Sequence, residues 1–188
     1  ETGVLEWPQG PVLFLGAEPG FRAPAADAAS LLCVQGFRPH YLALQREGFT
    51  VAPVADGEGY AASLVLCSRF RAQNEAWIAE ALARTRPGGV VLVGGAKSDG
   101  IASLRKRIGG LLSVAGSASK YHGVVFWLDR PISGLDQTIA ALAPPPELVA
   151  GRFHTAPGGF SADGIDAGSR LLADHLPSDL RGSVADFC

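Results

Sequence analysis

Val90-Val91-Leu92-Val93, followed directly by Gly94, is the clearest strand in the sequence. A short apolar run of this kind is typical of a strand buried on both faces of a sheet. Similar runs recur before and after it, at residues 12–15, 31–34, 50–54, 64–67, 112–115 and 124–128. Helical patterns separate most of these runs, at residues 39–47, 72–84 and 98–108, with an alanine-rich segment at 25–29.

This alternation predicts an α/β fold with a doubly wound, mostly parallel sheet. Parallel neighbours need helical crossovers, which place helices on both faces of the sheet. The last two runs, 112–115 and 124–128, have no helical pattern between them. We therefore expect them to form an antiparallel hairpin at one edge of the sheet.

A linker is expected at residues 131–146, with one short helix at 135–142 before Pro144-Pro145-Pro146. Three consecutive prolines cannot continue a helix and favour an extended spacer. The predicted domain boundary therefore separates a first domain at 1–143 from a segment at 144–188 that begins another domain.

Composition restricts the function classes. The 188 residues, 47% of them apolar, suffice for one sizeable domain and part of another. Sixteen basic and 18 acidic residues give a charge of -2, so any RNA contact must be a local patch. Three widely spaced cysteines and four histidines without zinc spacing predict no metal site and a reducing cytoplasm. No stretch of membrane length and no targeting signal is visible, and the sequence contains no methionine, which we interpret as an incomplete chain.

The loop after the first strand is a poor nucleotide site. Gly16-Ala17-Glu18-Pro19-Gly20 has glycines at its outer positions but lacks the central one, and Pro19 removes an amide donor. The acidic residue that would bind a ribose is expected about 20 residues further on, where Gln35 stands. Gly94-Gly95-Ala96-Lys97-Ser98 does not fit the spacing of a phosphate-binding loop. The first domain is therefore predicted to have a degenerate cofactor site.

Five basic residues are candidates for RNA contact: Lys97, Arg105, Lys106, Arg107 and Lys120. Three of them are consecutive on one predicted helix. Such a run is often only a solvated helix face, so both interpretations stay open.

The segment from Arg152 onwards carries the sharpest pattern. Residues 152–155 look like a strand, 157–159 form a turn, and 160–172 lead into a helix that Pro177 ends. Asp166 or Ser169 can cap that helix. A helix N-terminus directly before an apolar strand, here Val184 to Cys188 with an acidic residue, can also face a cofactor and bind a carboxylate.

Pro157 to Leu172 reads Pro-Gly-Gly-Phe-Ser-x-Asp-Gly-Ile-Asp-x-Gly-Ser-x-Leu-Leu, and Arg181-Gly182-x-Val184-Ala185-Asp186 follows it. This pattern resembles the domain junction of the ribosomal RNA small-subunit methyltransferase C family, whose members carry two methyltransferase-like domains in tandem. The resemblance implies a full-length enzyme that uses S-adenosylmethionine to methylate the exocyclic amine of a guanine in 16S ribosomal RNA. It also implies a noncatalytic first domain that supports the catalytic domain and helps to hold RNA.

Site residues follow from the resemblance. Phe160, Asp166, Gly168 and Ser169 match the approach to the cofactor, and Asp186 matches the acidic position of the first cofactor strand. The family's Asn-Pro-Pro-aromatic motif is absent, and Phe187-Cys188 departs from its usual strand continuation. The chain by itself is therefore expected to be inactive, with ribosomal RNA and its own C-terminal catalytic domain as partners.

Two alternatives remain open. One is a stand-alone module that docks RNA or a protein and has no catalytic half. The other is a small nucleotide-dependent oxidoreductase, which would need a cofactor site in the first sheet and is disfavoured by Pro19 and Gln35.

Overall fold

The computed structural model describes residues 7–23, 30–144 and 148–185. The chain divides into two compact units, Glu1–Pro145 and Pro146–Cys188. They are called the first and the second unit below. The alanine-rich segment at 25–29 and the second and third prolines of the predicted boundary lie outside the described residues.

The described part of the first unit contains seven strands and four α-helices. The strands are β1 Val12–Leu15, β2 Leu31–Val34, β3 Thr50–Ala52, β4 Tyr60–Leu66, β5 Thr85–Ala96, β6 Gly116–Lys120 and β7 Gly123–Asp129. The helices are α1 Arg38–Arg46, α2 Arg71–Arg84, α3 Ile101–Gly109 and α4 Asp136–Leu142.

All seven strands form one sheet in the order β3-β2-β1-β4-β5-β7-β6. The five strands from β3 to β5 are parallel, whereas β7 runs antiparallel to both of its neighbours, β5 and β6. The predicted fold class, a mostly parallel sheet with an antiparallel hairpin at one edge, is confirmed. Because β7 opposes both neighbours, β6 runs in the same direction as β4 and β5.

Side chains of β1 alternate between two cores. Leu13 and Leu15 pack into the larger cluster, which includes Ile78 of α2 and Ile108 of α3. Val12 and Phe14 belong to the smaller cluster, which includes residues of β2 and α1. Since successive side chains of a strand point to opposite faces, both faces of the sheet are covered, as in a doubly wound fold.

The first hairpin strand was predicted in the wrong place. Residues 112–115 are not a strand, and β6 begins only at Gly116. Leu112 and Val114 instead pack against the larger core from the loop after α3. The register of β6 is set by its two-residue turn to β7, and its own side chains are mostly exposed. An edge strand of this kind has no apolar pattern, so the sequence gives little sign of it.

The predicted linker is also wrong for most of its length. Helix α4 packs on α2, and Leu135 and Leu142 are buried in the larger core, with Ile139 packed beside them. Their spacing places these three side chains on one face of a helix. Residues 135–143 therefore belong to the core of the first unit.

The second unit contains helix α5, Ala167–His175, among its described residues. The strand predicted at 152–155 is wrong: Phe153 forms only an isolated antiparallel bridge with Val149. Val184 and Ala185 are exposed and have no strand pairing, while Asp186 to Cys188 lie outside the described residues. A strand needs a neighbouring strand for its backbone hydrogen bonds, and the described residues of this unit offer none. Over the described part of the chain, no helix is long and apolar enough to cross a membrane.

Candidate functional site

The loop after β1 is where a doubly wound sheet holds its ligand. Strand β1 lies between β2 and β4, at the point where the order of the strands reverses. Ligands of such sheets bind outside the carboxyl ends of the strands at this position. Gly16 leaves β1 with a φ of +71°, a left-handed conformation that glycine adopts easily.

Trp77 of α2 occupies the space next to this loop. A Cβ added to Gly16 would lie 2.6 Å from a ring carbon of Trp77 and 2.7 Å from the carbonyl oxygen of Leu66. The indole therefore packs directly against the backbone of Gly16, where a cofactor would have to approach the chain closely.

Polar backbone groups of the loop after β1 make hydrogen bonds to side chains of the protein. The backbone N–H of Gly20 donates to both carboxylate oxygens of Glu47, at 3.1 Å each. Gln35 donates through Nε2 to the carbonyl oxygen of Ala17 at 2.7 Å and accepts from the backbone N–H of Phe37 at 2.8 Å. An ionised acid at position 35 could not donate to Ala17, so Gln35 ties two loops together instead of binding a ribose.

An open groove of about 430 Å³ remains beside Gly20. It is lined partly by Phe21 and Phe49, whose rings are stacked at 4.4 Å, and by Glu47. The carboxylate of Glu47 repels phosphate groups, so the groove does not suit a dinucleotide. This arrangement disfavours the oxidoreductase alternative, which needs a nucleotide site in the first sheet.

The loop after β4 is held by a buried side chain. Asn74, only 2% exposed, accepts from the backbone N–H of Ser68 at 2.8 Å and donates to its carbonyl oxygen at 2.8 Å. Cys67 lies in the same loop, and burial, with a contribution from Asp99, raises the pKa of its thiol to about 12. Burial, with a contribution from Glu47, also raises the pKa of Cys33 to about 12. Neither thiol supplies a thiolate nucleophile near neutral pH.

The structure separates the predicted basic residues. Consecutive helical residues are about 100° apart, so Arg105, Lys106 and Arg107 point in different directions. Arg105 donates to Ser117 Oγ at 2.7 Å. The guanidinium of Arg107 pairs with Glu75 at 3.0 Å and donates to a carbonyl oxygen of α4.

Lys97 and Lys120 are brought to one end of the sheet. The backbone N–H of Lys97 donates to the carbonyl oxygen of His122, in the turn that follows Lys120. Any contact of these basic residues with RNA stays a prediction. In the described residues no group of three or more acidic, histidine or cysteine side chains could hold a metal ion.

In the second unit, Asp166 is the N-cap of α5. Its Oδ1 accepts from the backbone N–H groups of Gly168 at 3.0 Å and Ser169 at 3.1 Å. Hydrogen bonds from the Ser169 side chain and backbone, and then from the Gly168 backbone, lower the pKa of Asp166 below its usual 3.8. A Cβ on Gly168 would lie 3.1 Å from Asp166 Oδ1, so glycine leaves room for the cap.

The capping contacts of Asp166 involve residues that were predicted to lie next to the cofactor. Asp166 binds two of the amides that a ligand carboxylate would otherwise use, and Phe160 is 89% exposed. Asp186, the fifth predicted cofactor residue, lies outside the described residues. A cofactor role for all five residues stays a prediction.

Comparisons with known proteins agree with this architecture. The chain superposes on the T. thermophilus 16S rRNA N2 G1207 methyltransferase, solved in complex with AdoMet and guanosine, with a TM-score of 0.64 and 21% identity over 90% of this chain. The chain has the fold of a methyltransferase. It covers 49% of that protein, so it spans about half of its length.

A second solved structure is a ribosomal protein L11 methylase from Lactobacillus delbrueckii subsp. bulgaricus. Its TM-score is 0.50 at 12% identity, over 64% of this chain and 69% of the methylase. Residues 150–188 match the family model of the methyltransferase small domain. No curated protein matches the chain by sequence.

The side chains that pack against or hold the loops after β1 and β4 were not identified from the sequence. Trp77 lies among the apolar residues of the predicted helix at 72–84, and a helical pattern alone does not show which loop a side chain will contact. Glu47 carries no sequence signal, because its partner Gly20 lies 27 residues earlier in the chain. Asn74 lies only six residues after Ser68, but no sequence pattern indicates that its side chain turns back to hold that loop.

Proposed function

We propose that this chain is the noncatalytic N-terminal part of an S-adenosylmethionine-dependent 16S ribosomal RNA guanine-N2 methyltransferase, acting in the cytoplasm. Residues 1–143 form its degenerate methyltransferase-like domain, which supports the catalytic domain and contributes to RNA binding. Residues 144–188 lead into the catalytic domain, and Phe160, Asp166, Gly168, Ser169 and Asp186 belong to the approach to its cofactor.

The observation that carries this proposal is the blocked site at the end of β1. The first unit has a methyltransferase sheet, yet Trp77 packs against Gly16 where the cofactor would lie. The match to the methyltransferase small domain begins only at residue 150, in the second unit. A cofactor-binding domain that follows a nonbinding copy of the same architecture accounts for both facts.

Binding of S-adenosylmethionine tests the degenerate site. Isothermal titration and thermal unfolding are carried out on the 188-residue chain. We expect no binding heat and no change in Tm at about 1 mM cofactor. A Kd of about 10 µM would instead stabilise the fold by about 2.7 kcal/mol at that concentration and raise Tm by several degrees. Binding of that strength, whether at Gly16 or in the groove beside Gly20, would contradict the proposal.

The activity of the whole enzyme is tested in cells. Deletion of the gene is expected to remove one N2-methylguanosine from 16S ribosomal RNA, measured by mass spectrometry of the isolated RNA. The complete coding region should restore the modification, and residues 1–188 alone should not. An unchanged modification pattern in the deletion strain would refute the proposed activity. A reading frame that stops after Cys188 would favour the stand-alone module instead.

A further inference from the structure

Two exposed aromatic rings lie at one end of the first unit's sheet, after β4 and after β6. Phe70 follows β4 and is 40% exposed, and Tyr121 follows β6 and is 87% exposed. Because β4 and β6 run in the same direction, both rings lie at the same end of the sheet. We call the segments 67–70, 97–99 and 120–122, which lie at the carboxyl ends of β4, β5 and β6, the carboxyl edge.

The turn that carries Tyr121 has an unfavourable backbone. Tyr121 has a φ of +48° and His122 a φ of +63°, so both residues of this two-residue hairpin turn are left-handed. Asparagine and glycine are the usual residues of such turns, because a Cβ disfavours this conformation. Strain of this kind concentrates at functional sites, and here it holds an aromatic ring in solvent.

A cation lies over each ring. The guanidinium of Arg69 is 4.9 Å from the ring centre of Phe70, and Lys120 Nζ is 4.8 Å from that of Tyr121. Lys97, at the end of β5, lies between the two segments in the strand order. One acidic residue, Asp99, shares this edge and contacts Ser98.

The loop of Phe70 is fixed before any partner binds. The Asn74 side chain binds both the backbone N–H and the carbonyl oxygen of Ser68. The Ser68 hydroxyl in turn accepts from the backbone N–H of Phe70 at 3.1 Å. A ring in a fixed loop loses little conformational entropy when a partner stacks on it. The Phe70 segment of the carboxyl edge is therefore preorganised for a flat partner.

We propose that the carboxyl edge binds unpaired RNA, with bases stacking on Phe70 and Tyr121 and phosphates contacting Arg69, Lys97 and Lys120. This inference rests on the proposed function and names the RNA surface of the first unit. Proteins that bind single strands combine aromatic stacking with a cationic path for the backbone, which is the pattern seen here. Duplex RNA keeps its bases stacked inside the helix and cannot use the rings.

The loops after β1 and β2 are less suitable for binding RNA than the carboxyl edge. Phe37, after β2, is 59% exposed, but its ring neighbour is His40 instead of a lysine or arginine. The loop after β1, between β2 and β4, carries the exposed Glu18 and the Glu47 carboxylate bound to Gly20. Their charges repel phosphates, so Phe37 serves as a matched control.

The test is fluorescence anisotropy of a labelled single-stranded RNA of mixed sequence with the full chain, compared with duplex RNA of the same length. Phe70→Ala and Tyr121→Ala are each expected to weaken single-strand binding about tenfold, and Phe70→Trp to preserve it, because a tryptophan ring stacks equally well. Lys97→Ala and Lys120→Ala should each reduce the slope of log affinity against log salt by about 0.7. Phe37→Ala and Arg86→Ala, the latter removing an exposed charge near the start of β5, should change affinity less than twofold.

Tyr121→Gly separates binding from folding. Glycine suits a φ of +48°, so this variant should raise Tm while it weakens RNA binding as much as Tyr121→Ala. Loss of binding in a more stable protein cannot be explained by misfolding.

Three results would overturn the inference. Equal affinity for single-stranded and duplex RNA would remove the stacking role. Binding that depends on Arg105 and Arg107 but not on the two rings would place the RNA elsewhere and leave the proposed function intact. No RNA binding at all, with acidic peptides bound instead, would assign the edge to a protein partner, and the methylation assay in cells would then judge the proposed function separately.

Discussion

Gly16→Ala is the most direct test of the closed site at the end of β1. The new Cβ would lie 2.6 Å from the Trp77 ring, which is 0.8 Å less than the 3.4 Å at which ordinary contact begins. It would also lie 2.7 Å from the carbonyl oxygen of Leu66. That oxygen belongs to the end of a central strand, so it cannot move aside without disturbing the sheet.

Two costs contribute to the expected effect. A residue with a Cβ in the left-handed conformation costs about 1–2 kcal/mol. Overpacking in a well-filled core adds about 1–3 kcal/mol. We therefore expect Gly16→Ala to lower the free energy of unfolding by about 2–5 kcal/mol, a large share of the 5–15 kcal/mol typical of a domain.

Gly20→Ala is the matched control. Gly20 also has a left-handed φ, +90°, but nothing lies within 4 Å of its added Cβ. Its variant should lose only the conformational part, about 1–2 kcal/mol. In a double-mutant cycle, Trp77→Ala combined with Gly16→Ala should cost less than the sum of the two single losses, because the ring that meets the new Cβ is removed while Leu66 stays in place.

The assay is urea unfolding followed by tryptophan fluorescence. All three tryptophans, Trp7, Trp77 and Trp127, lie in the first unit, so the signal reports on that unit. A loss of about 3 kcal/mol would shift the midpoint by about 1–2 M urea. Equal losses for Gly16→Ala and Gly20→Ala would refute the packing of Trp77 and Leu66 against Gly16.

Three further predictions concern other parts of the chain. Asn74→Ala should cost about 1–3 kcal/mol in urea unfolding, because the partly buried backbone N–H and carbonyl oxygen of Ser68 both lose their partner. Leu142→Ala should cost about 2–5 kcal/mol, because this 2% exposed side chain ties α4 to the core. The pKa of Asp166 is lowered in the folded state, so its ionised form favours the capped helix. Circular dichroism should therefore show helix content that is constant above about pH 4 and falls as the pH passes down through the lowered pKa.

Each of these predictions has its own control. Ser68→Ala keeps the backbone contacts of Asn74 and should cost less than Asn74→Ala. Ile132→Ala alters a side chain that is 82% exposed and should be nearly neutral; a similar loss for Leu142→Ala and Ile132→Ala would show that α4 is not part of the core. Asp166→Asn can still cap without a charge and should flatten the pH response, so an unchanged response in this variant would contradict the role of Asp166.

The proposed division of labour has a physical basis. A nucleotide fold can lose its ligand site while keeping most of its stability, because the two cores are built mainly from side chains of the strands and helices, whereas ligands bind in the connecting loops. In the first unit, Trp77 fills the space at Gly16 and Gln35 joins two loops. Such contacts favour a fixed scaffold over a pocket that must open for a cofactor.

The strands near the centre of the sheet were predictable because burial on both faces requires continuous apolar runs. Residues 12–15 and 31–34 were predicted with the bounds that the structure has. Strand β4 begins earlier than its apolar run, at Tyr60, because Ala61, Ala62 and Ser63 are small residues with weak strand preference that are nevertheless buried.

The edge elements were less predictable. Strand β6 has the sequence Gly-Ser-Ala-Ser-Lys, which lacks any apolar signal, and it becomes a strand because the turn at Tyr121 and His122 pairs it with β7. Helix α4 was predicted as a helix but assigned to a linker, since its local pattern does not show that α2 offers a surface for it.

The sequence by itself determined the alternation of strands and helices, the fold class and a helix start near Asp166 and Ser169, because these depend on patterns within a few neighbouring residues. It also indicated that the loop from Gly16 to Gly20 lacks the groups of a cofactor site. Only the tertiary structure decided what fills that site and which charged residues share one edge. Trp77 packs against Gly16, and the backbone N–H of Lys97 donates to the turn after Lys120. Both contacts join distant parts of the chain, so they form only when the sheet has formed.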